Sequence, residues 1–206
     1  MTLDLRAAFG DIDIYLFDQL LKGRVAPGHR VIDVGCGAGR NLVFFLQQGF
    51  DVRGCDPNPE RIADVRRLAA RLAPHVSPDA FSVASAEACP FEPASADLVV
   101  SSAVMHFARD HAHFDAMFDG MWRLLAPGGL LFCRLASCIG MADRMRPVGQ
   151  GRCIMPDGTE RYLVDAARLA ACEAKVGAER VDPLKTTVVD NERCMTTWVV
   201  RRPRVS

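Results

Sequence analysis

The chain has 206 residues, half of them hydrophobic, with 25 basic and 25 acidic side chains and a formal net charge of zero. That length suits one domain, residues 1–206, and the balanced charge gives no bulk reason to expect nucleic acid or an anionic membrane as partner. The first residues carry Asp4, Arg6, Asp11 and Asp13 without a long apolar core, and no run approaches the roughly 20 apolar residues of a membrane span, so neither a signal peptide nor a transmembrane helix is expected.

Residues 11–22 place apolar side chains at helical spacing (Ile12, Leu16, Leu20) and read as a leading helix. Pro27-Gly28 is a turn, and an apolar β-branched run then makes strand one. Residues 41–48 read as a helix ended by Gly49. Residues 51–56 are strand two, and Pro59 opens a helix over 60–72. On that helix Arg61, Arg66, Arg67 and Arg71 share an outer, solvated face. Residues 81–83 are a short strand three and 97–101 strand four. A helix over 111–125 stops at Pro127-Gly128-Gly129, and 130–135 is strand five. Residues 137–162 form an irregular excursion, whose stretch 137–158 holds four glycines and two prolines and shows no periodicity. A helix over 165–176 stops near Gly177. Two Thr- and Val-rich runs, 184–189 and 194–201, flank Asp190-Asn191-Glu192 as a terminal hairpin. Alternation of strand and helix implies an α/β, Rossmann-like, doubly wound sheet of seven strands. It is mostly parallel with helices on both faces, and the C-terminal hairpin adds antiparallel pairing. In such a sheet the ligand lies at the carboxyl ends of the strands, where strand order reverses.

The densest signal is Val31-Ile32-Asp33-Val34-Gly35-Cys36-Gly37-Ala38-Gly39-Arg40-Asn41. A strand runs into three alternating glycines, which let the backbone turn tightly and lie against a ligand, and a helix follows whose first N–H groups are free to meet an anion. A dinucleotide fingerprint places glycine at the first, third and sixth loop positions. Here the sixth is Arg40. Asp33, two residues before the first glycine, suits a ligand with a cationic amino-acid end better than a pyrophosphate. Asp56 closes strand two ~20 residues beyond the first glycine, where a carboxylate accepts from both hydroxyls of a ribose. Eight cysteines form no Cys-x-x-Cys pair. Cys36, Cys55, Cys133 and Cys194 sit in or beside strand-like runs, as free thiols packed in a reducing, cytoplasmic protein would, and no metal site is expected.

These residues resemble the first motif of the class I S-adenosylmethionine-dependent methyltransferases, acid-x-Gly-x-Gly-x-Gly. Two further segments strengthen the likeness, which spans residues 9–201. Leu124-Leu125-Ala126-Pro127-Gly128-Gly129 is similar to the family's Leu-Leu-x-Pro-Gly-Gly turn. Ser85-Ala86-Glu87-Ala88-Cys89-Pro90-Phe91 is similar to its adenine-side segment, with Ser85 where the family usually has Asp. The Gly39-Arg40-Asn41 ending looks like the tellurite-resistance and small-molecule branch. The resemblance implies S-adenosylmethionine as cofactor, S-adenosylhomocysteine as product, and a donor site of Asp33, Gly35, Gly37, Gly39, Asp56, Pro57, Ala86, Glu87 and Ser101. It implies a small-molecule acceptor lined by Tyr15, Met105, Phe107, Arg134 and Arg161, with Phe17, Arg144 and Arg146 as further candidates. Several arginines near one opening suit an anionic acceptor. His106, after strand four, reads either as a general base or as pocket wall, because its ordinary pKa lies near neutrality. A non-catalytic module that binds the same nucleoside, and an NAD(P)-dependent oxidoreductase, are the competing readings. Monomer and homodimer both remain open.

Overall fold

Apolar residues on alternating positions of the first strands feed both faces of a sheet, which is why these runs extend rather than coil. In the computed structural model, which describes residues 4–204, the elements in chain order begin with α1 (Leu5–Phe9), α2 (Ile14–Leu21), β1 (Arg30–Val34), α3 (Val43–Gln47), β2 (Asp51–Asp56), α4 (Pro59–Leu72) and β3 (Phe81–Val83). There follow β4 (Ala96–Ser102), α5 (His111–Leu124), β5 (Leu125–Ala136), β6 (Arg146–Gly149), β7 (Arg152–Ile154) and β8 (Glu160–Tyr162). The chain closes with α6 (Ala166–Val176), β9 (Glu179–Arg180), β10 (Lys185–Val189) and β11 (Arg193–Arg201).

The main sheet runs β10-β11-β5-β4-β1-β2-β3, with the short β9 paired to β11. β3, β2, β1, β4 and β5 are mutually parallel, and β11 pairs antiparallel with both β5 and β10. The expected seven-stranded, mostly parallel sheet with its terminal hairpin is therefore present. Asp190 (φ 50°) and Asn191 (φ 57°) turn that hairpin in the left-handed region, which Asn and Asp tolerate. Strand order reverses between β1 and β4, and the glycine loop leaves β1 at that point.

Two cores flank the sheet. Ile32, Val34, Val99, Phe114, Phe118 and Trp198 fill the face covered by α5 and α6. Val31, Val52, Val100, Phe45, Ile62 and Val65 fill the face covered by α2, α3 and α4. The four outer-face arginines of α4 are exposed, as expected. Among the described residues no helix is long and apolar enough to cross a membrane.

Four local details differ from the sequence expectation. The leading helix is two helices: Gly10 ends α1 at φ 62°, and the Asp13 side chain caps α2 by accepting from the Tyr15 amide. The helix after the glycine loop is only five residues long, because residues 40–42 are still turning, so it is the loop and not a helix end that faces the site. Pro127-Gly128-Gly129 does not separate helix from strand. β5 begins at Leu125, and its pairing slips between Ala96–Leu125 and Leu98–Leu130, so the turn is a bulge inside the strand. Finally, the excursion is ordered: β6, β7 and β8 form a small antiparallel sheet over a third core of Met141, Met145, Met155, Leu163 and Cys194. Its strands span three or four residues, too short to show a period of two in the sequence.

Gly120 lies within α5, where glycine ordinarily costs about 1 kcal/mol against alanine. Here the backbone of Ala86 and Glu87 crosses so closely that a Cβ at Gly120 would lie 2.5 Å from the Ala86 carbonyl oxygen. The overlap outweighs the propensity gain. Gly120→Ala should therefore lower stability, by about 1–3 kcal/mol, in urea unfolding. A stabilised variant would show that the close crossing does not exist.

Candidate functional site

The glycine loop is strapped to the end of β2. The amides of Gly35 and Cys36 both donate to the Cys55 carbonyl, at 2.7 and 3.0 Å. One residue on, Asp56 Oδ2 accepts from the Gly37 amide at 3.0 Å and Oδ1 from the Asn58 amide at 2.9 Å. Each oxygen spends one lone pair on backbone and retains another for a ligand. The three glycines do different work. A Cβ on Gly35 would strike Val104, and one on Gly39 would lie 2.8 Å from Leu68 and Val65, so these two allow protein to pack on the loop. Gly37, at φ 53°, has nothing within 4 Å of its missing Cβ and alone opens to free space.

Beyond the loop lies a cavity of about 440 Å³ walled by Gly35, Asp56, Pro57, Ser85, Ala86 and Glu87 on one side. Ala103, Val104, Phe107, Arg109, His113 and Met117 wall the other. His113 Nδ1 accepts from the Arg109 amide and its Nε2 lies 3.2 Å from Glu87 Oε1, which holds the two sides together. A larger hollow of about 550 Å³ lies by Phe50, Asp51 and His75, where β2 begins. It sits at the wrong end of the strands for a doubly wound sheet.

A second cavity, about 420 Å³, abuts the first at Ala103, which walls both and sits at φ 65°. It is lined by His106, Arg134, Arg161, Arg193, Asp157 and Thr187, with Met155, Met195 and Val189 among its apolar surfaces. The 3-10 turn of residues 105–107 divides the cavities: His106 faces the second, Phe107 the first. Arg161 lies 5.1 Å above the Phe107 ring centre across this divide.

The sequence-predicted residues divide accordingly. Gly35, Asp56, Pro57, Ala86 and Glu87 meet on the first cavity, and Phe107 joins them instead of lining the acceptor side. Arg134, Arg161 and His106 meet on the second. Tyr15 stands behind it, its hydroxyl 2.7 Å from the Thr187 hydroxyl and its ring beneath Arg134. Met105 is not a lining residue: it is fully buried with its sulfur 3.8 Å from Cys133 Sγ. Ser101 is likewise in the interior and walls neither cavity, because its position in β4 points it to the α5 face. Gly39 is buried under α4, Phe17 packs edge-on against Phe9, and Arg144 and Arg146 are exposed and line neither cavity.

Sequence reading missed the buried hub beside the loop. The Asp13 carboxylate, with no exposed side-chain surface, accepts from Ser102 Oγ and Arg134 Nη1, both at 3.1 Å. Its own amide donates to Asn41 Oδ1 at 3.0 Å, and Arg40 reaches the Ser102 hydroxyl at 2.8 Å. Arg40, the residue that departs from a dinucleotide loop, thus meets the end of β4, and Asn41 beside it holds the start of α2. The cue was Asp13 near a helix start, read only as one of the charges that argue against a signal peptide.

Burial disfavours the charged forms of Asp33 and His106. Asp33 is buried with neither carboxylate oxygen hydrogen-bonded, and burial pushes it up to about 7, Arg40 opposing and Asp56 adding to the shift. It lies behind the loop, off the cavity wall. Burial, with Arg161 nearby, pushes His106 down to about 4. Its Nδ1 accepts from the Ala136 amide at 3.3 Å, so the proton of the neutral ring sits on Nε2. The ring thus offers a donor and not a free base.

A parallel sheet reversing between β1 and β4, with a carboxylate fixed to a glycine loop at the reversal, defines a Rossmann-like nucleoside-binding domain. A family described as "Methyltransferase domain" matches residues 31–129. A ubiquinone biosynthesis O-methyltransferase of Xylella fastidiosa is 31% identical over 160 residues, 75% of this chain and 62% of that protein. A SAM-dependent methyltransferase from Methanosarcina mazei superposes with TM-score 0.70 at 19% identity, covering 90% of this chain and 98% of that one. A 1,6-didemethyltoxoflavin-N1-methyltransferase of Burkholderia thailandensis, crystallised with 1,6-didemethyltoxoflavin and S-adenosylhomocysteine, superposes with TM-score 0.69 at 17% identity, covering 97% and 81%. Over residues 31–129 the chain is therefore similar to methyltransferase domains, and its fold is shared with S-adenosylmethionine-dependent methyltransferases. The chain spans less than half the length of the first curated relatives it matches, 46% and 42%. The narrower tellurite-resistance-like placement, drawn from compact size and the Gly39-Arg40-Asn41 ending, is not part of that likeness.

The two titrating groups act on stability with opposite signs. Unfolded His106 takes a proton near 6.5 and folded His106 only near 4, so its contribution is complete above 6.5 and lost as pH falls through 4. Unfolded Asp33 loses its proton near 3.8 and folded Asp33 near 7, so its contribution is complete below 3.8 and lost as pH rises through 7. In urea titrations, His106→Gln should flatten the acid-side loss and Asp33→Asn the loss toward neutrality. A variant whose curve runs parallel to wild type would remove the corresponding burial effect.

Proposed function

We propose that this chain transfers a methyl group from S-adenosylmethionine, held in the first cavity, to a small molecule held in the second. The observation that carries the reading is Asp56: a carboxylate on the cavity wall, oriented by two backbone amides, with lone pairs left for the two hydroxyls of a ribose. The residues present fit the donor in two further ways. Gly37 leaves open the space a side chain would fill, and the unpartnered Asp33 carboxylate behind the loop favours a cation nearby. Pro57, Ala86 and Glu87 supply the wall beside the sugar and base.

When bound, the sulfonium supplies an activated methyl group with a neutral leaving group. The chain's part is then alignment, which alone can be worth an effective molarity on the order of 10⁵ M. Ala103, common to both cavities, marks where donor and acceptor meet. Neutral His106 holds a proton at Nε2 and can donate it in a hydrogen bond to an acceptor oxygen, fixing its orientation without removing a proton. This replaces the general-base reading with a positioning one.

Isothermal calorimetry with S-adenosylhomocysteine tests the donor site. Asp56→Ala should weaken binding by roughly 1.5–3 kcal/mol, the range for hydrogen bonds to a charged group. Gly37→Val should abolish binding while the variant keeps its far-UV spectrum and cooperative melt. Wild-type affinity in either variant would sink the assignment.

A further inference from the structure

The second cavity carries an imbalance that its neighbours do not cancel. Three guanidinium groups, Arg134, Arg161 and Arg193, share its wall with one carboxylate, Asp157. Arg134 is committed, bonded to the buried Asp13. Arg193 faces Asp157 at 3.9 Å, and its side chain is 62% exposed, so that attraction is largely screened. Arg161 differs. Among the described residues no carboxylate lies within 4.0 Å of its guanidinium, and one of its five N–H groups is used, on the Glu160 carbonyl at 2.8 Å. It is held from one side by the Phe107 ring and is only partly exposed. A planar cation pinned flat by an aromatic face keeps its edge free for a bidentate oxyanion.

The rest of the wall combines His106 and two threonines with apolar surface. Met155 and Met195 put polarizable thioethers into the cavity, and these unbranched side chains adapt to irregular or flat apolar shapes. The volume suits a ligand of roughly one ring with substituents.

We infer that the methyl acceptor is a small carboxylate on an apolar body, its anionic group taken by Arg161 and its apolar part lying on Met155 and Met195. Arg161 is then the residue that decides specificity, and His106 Nε2–H is left for the atom nearer Ala103. Amines are disfavoured, because a cation would enter a wall already positive. The inference rests on the two-cavity reading above for which cavity takes the acceptor, but its charge argument does not depend on the donor.

The test compares benzoate, phenylacetate and 4-hydroxyphenylacetate with their primary amides, pairs of like shape that differ in charge. Binding to the full chain is measured by calorimetry, first alone and then with saturating S-adenosylhomocysteine. At least one carboxylate should bind at least tenfold more tightly than its amide, and more weakly as salt rises. Arg161→Leu should erase that preference, and Arg161→Lys should keep part of it. Affinity for S-adenosylhomocysteine in Arg161→Leu should stay within about threefold of wild type, showing an intact fold. Equal binding of amides, a preference that survives Arg161→Leu, or failure of every carboxylate to bind would overturn the inference. Loss of S-adenosylhomocysteine binding with the carboxylate preference intact would instead overturn the donor assignment and leave this one standing.

Discussion

The buried carboxylate of Asp13 holds together what the sequence keeps apart. It caps α2, takes hydrogen bonds from the ends of β4 and β5 through Ser102 and Arg134, and through its amide reaches Asn41 in the glycine loop. Burying a carboxylate is costly, and at Asp13 the cost is offset because both oxygens accept hydrogen bonds, from the Tyr15 amide, Ser102 and Arg134. The leading helix is thereby fastened across the carboxyl ends of the strands, and Tyr15, on that helix, meets Thr187 of the terminal hairpin. Without this hub the second cavity would lose part of its wall, since Arg134 would no longer be held between Asp13 and Tyr15.

The division of labour between the cavities follows from where charge is buried. The first has its acid, Asp56, anchored by amides at the surface of the loop. The second gathers cations around a histidine that burial keeps neutral. A reaction that moves a methyl group from a positive sulfur gains from this arrangement only through placement. Nothing on the wall has to change protonation state for the acceptor and donor to be brought into line.

The sheet was legible because its strands are buried on both faces and therefore read as unbroken apolar runs, and because glycine loop and Asp56 are fixed by local backbone geometry. The small sheet was illegible because strands of three or four residues carry no period, and their stability comes from a core of methionines scattered from 141 to 155. Ser101 follows the alternation of β4 onto the α5 face, whereas Met105 lies in the 3-10 turn after β4, whose phase no sequence pattern announces. Gly120 was visible as a glycine inside a helix, but its reason, the crossing of residue 86, lies 34 positions away. The Asp13 hub joins residues 28 to 121 positions apart, beyond what spacing along the chain can express.

The small sheet contributes Met155, Asp157, Thr159 and Arg161 to one hollow and no residue to the other. A protein built this way can change its chemical taste in one place. On the proposed reading, exchange of residues 138–164 between relatives would swap the acceptor surface, provided its seams with the main domain are rematched: the Arg161–Phe107 and Tyr162–Phe114 stacks, Tyr162 with His111, and Arg152 with the Ala108 carbonyl. Diversification over time, or at the bench, is thereby confined to a detachable patch.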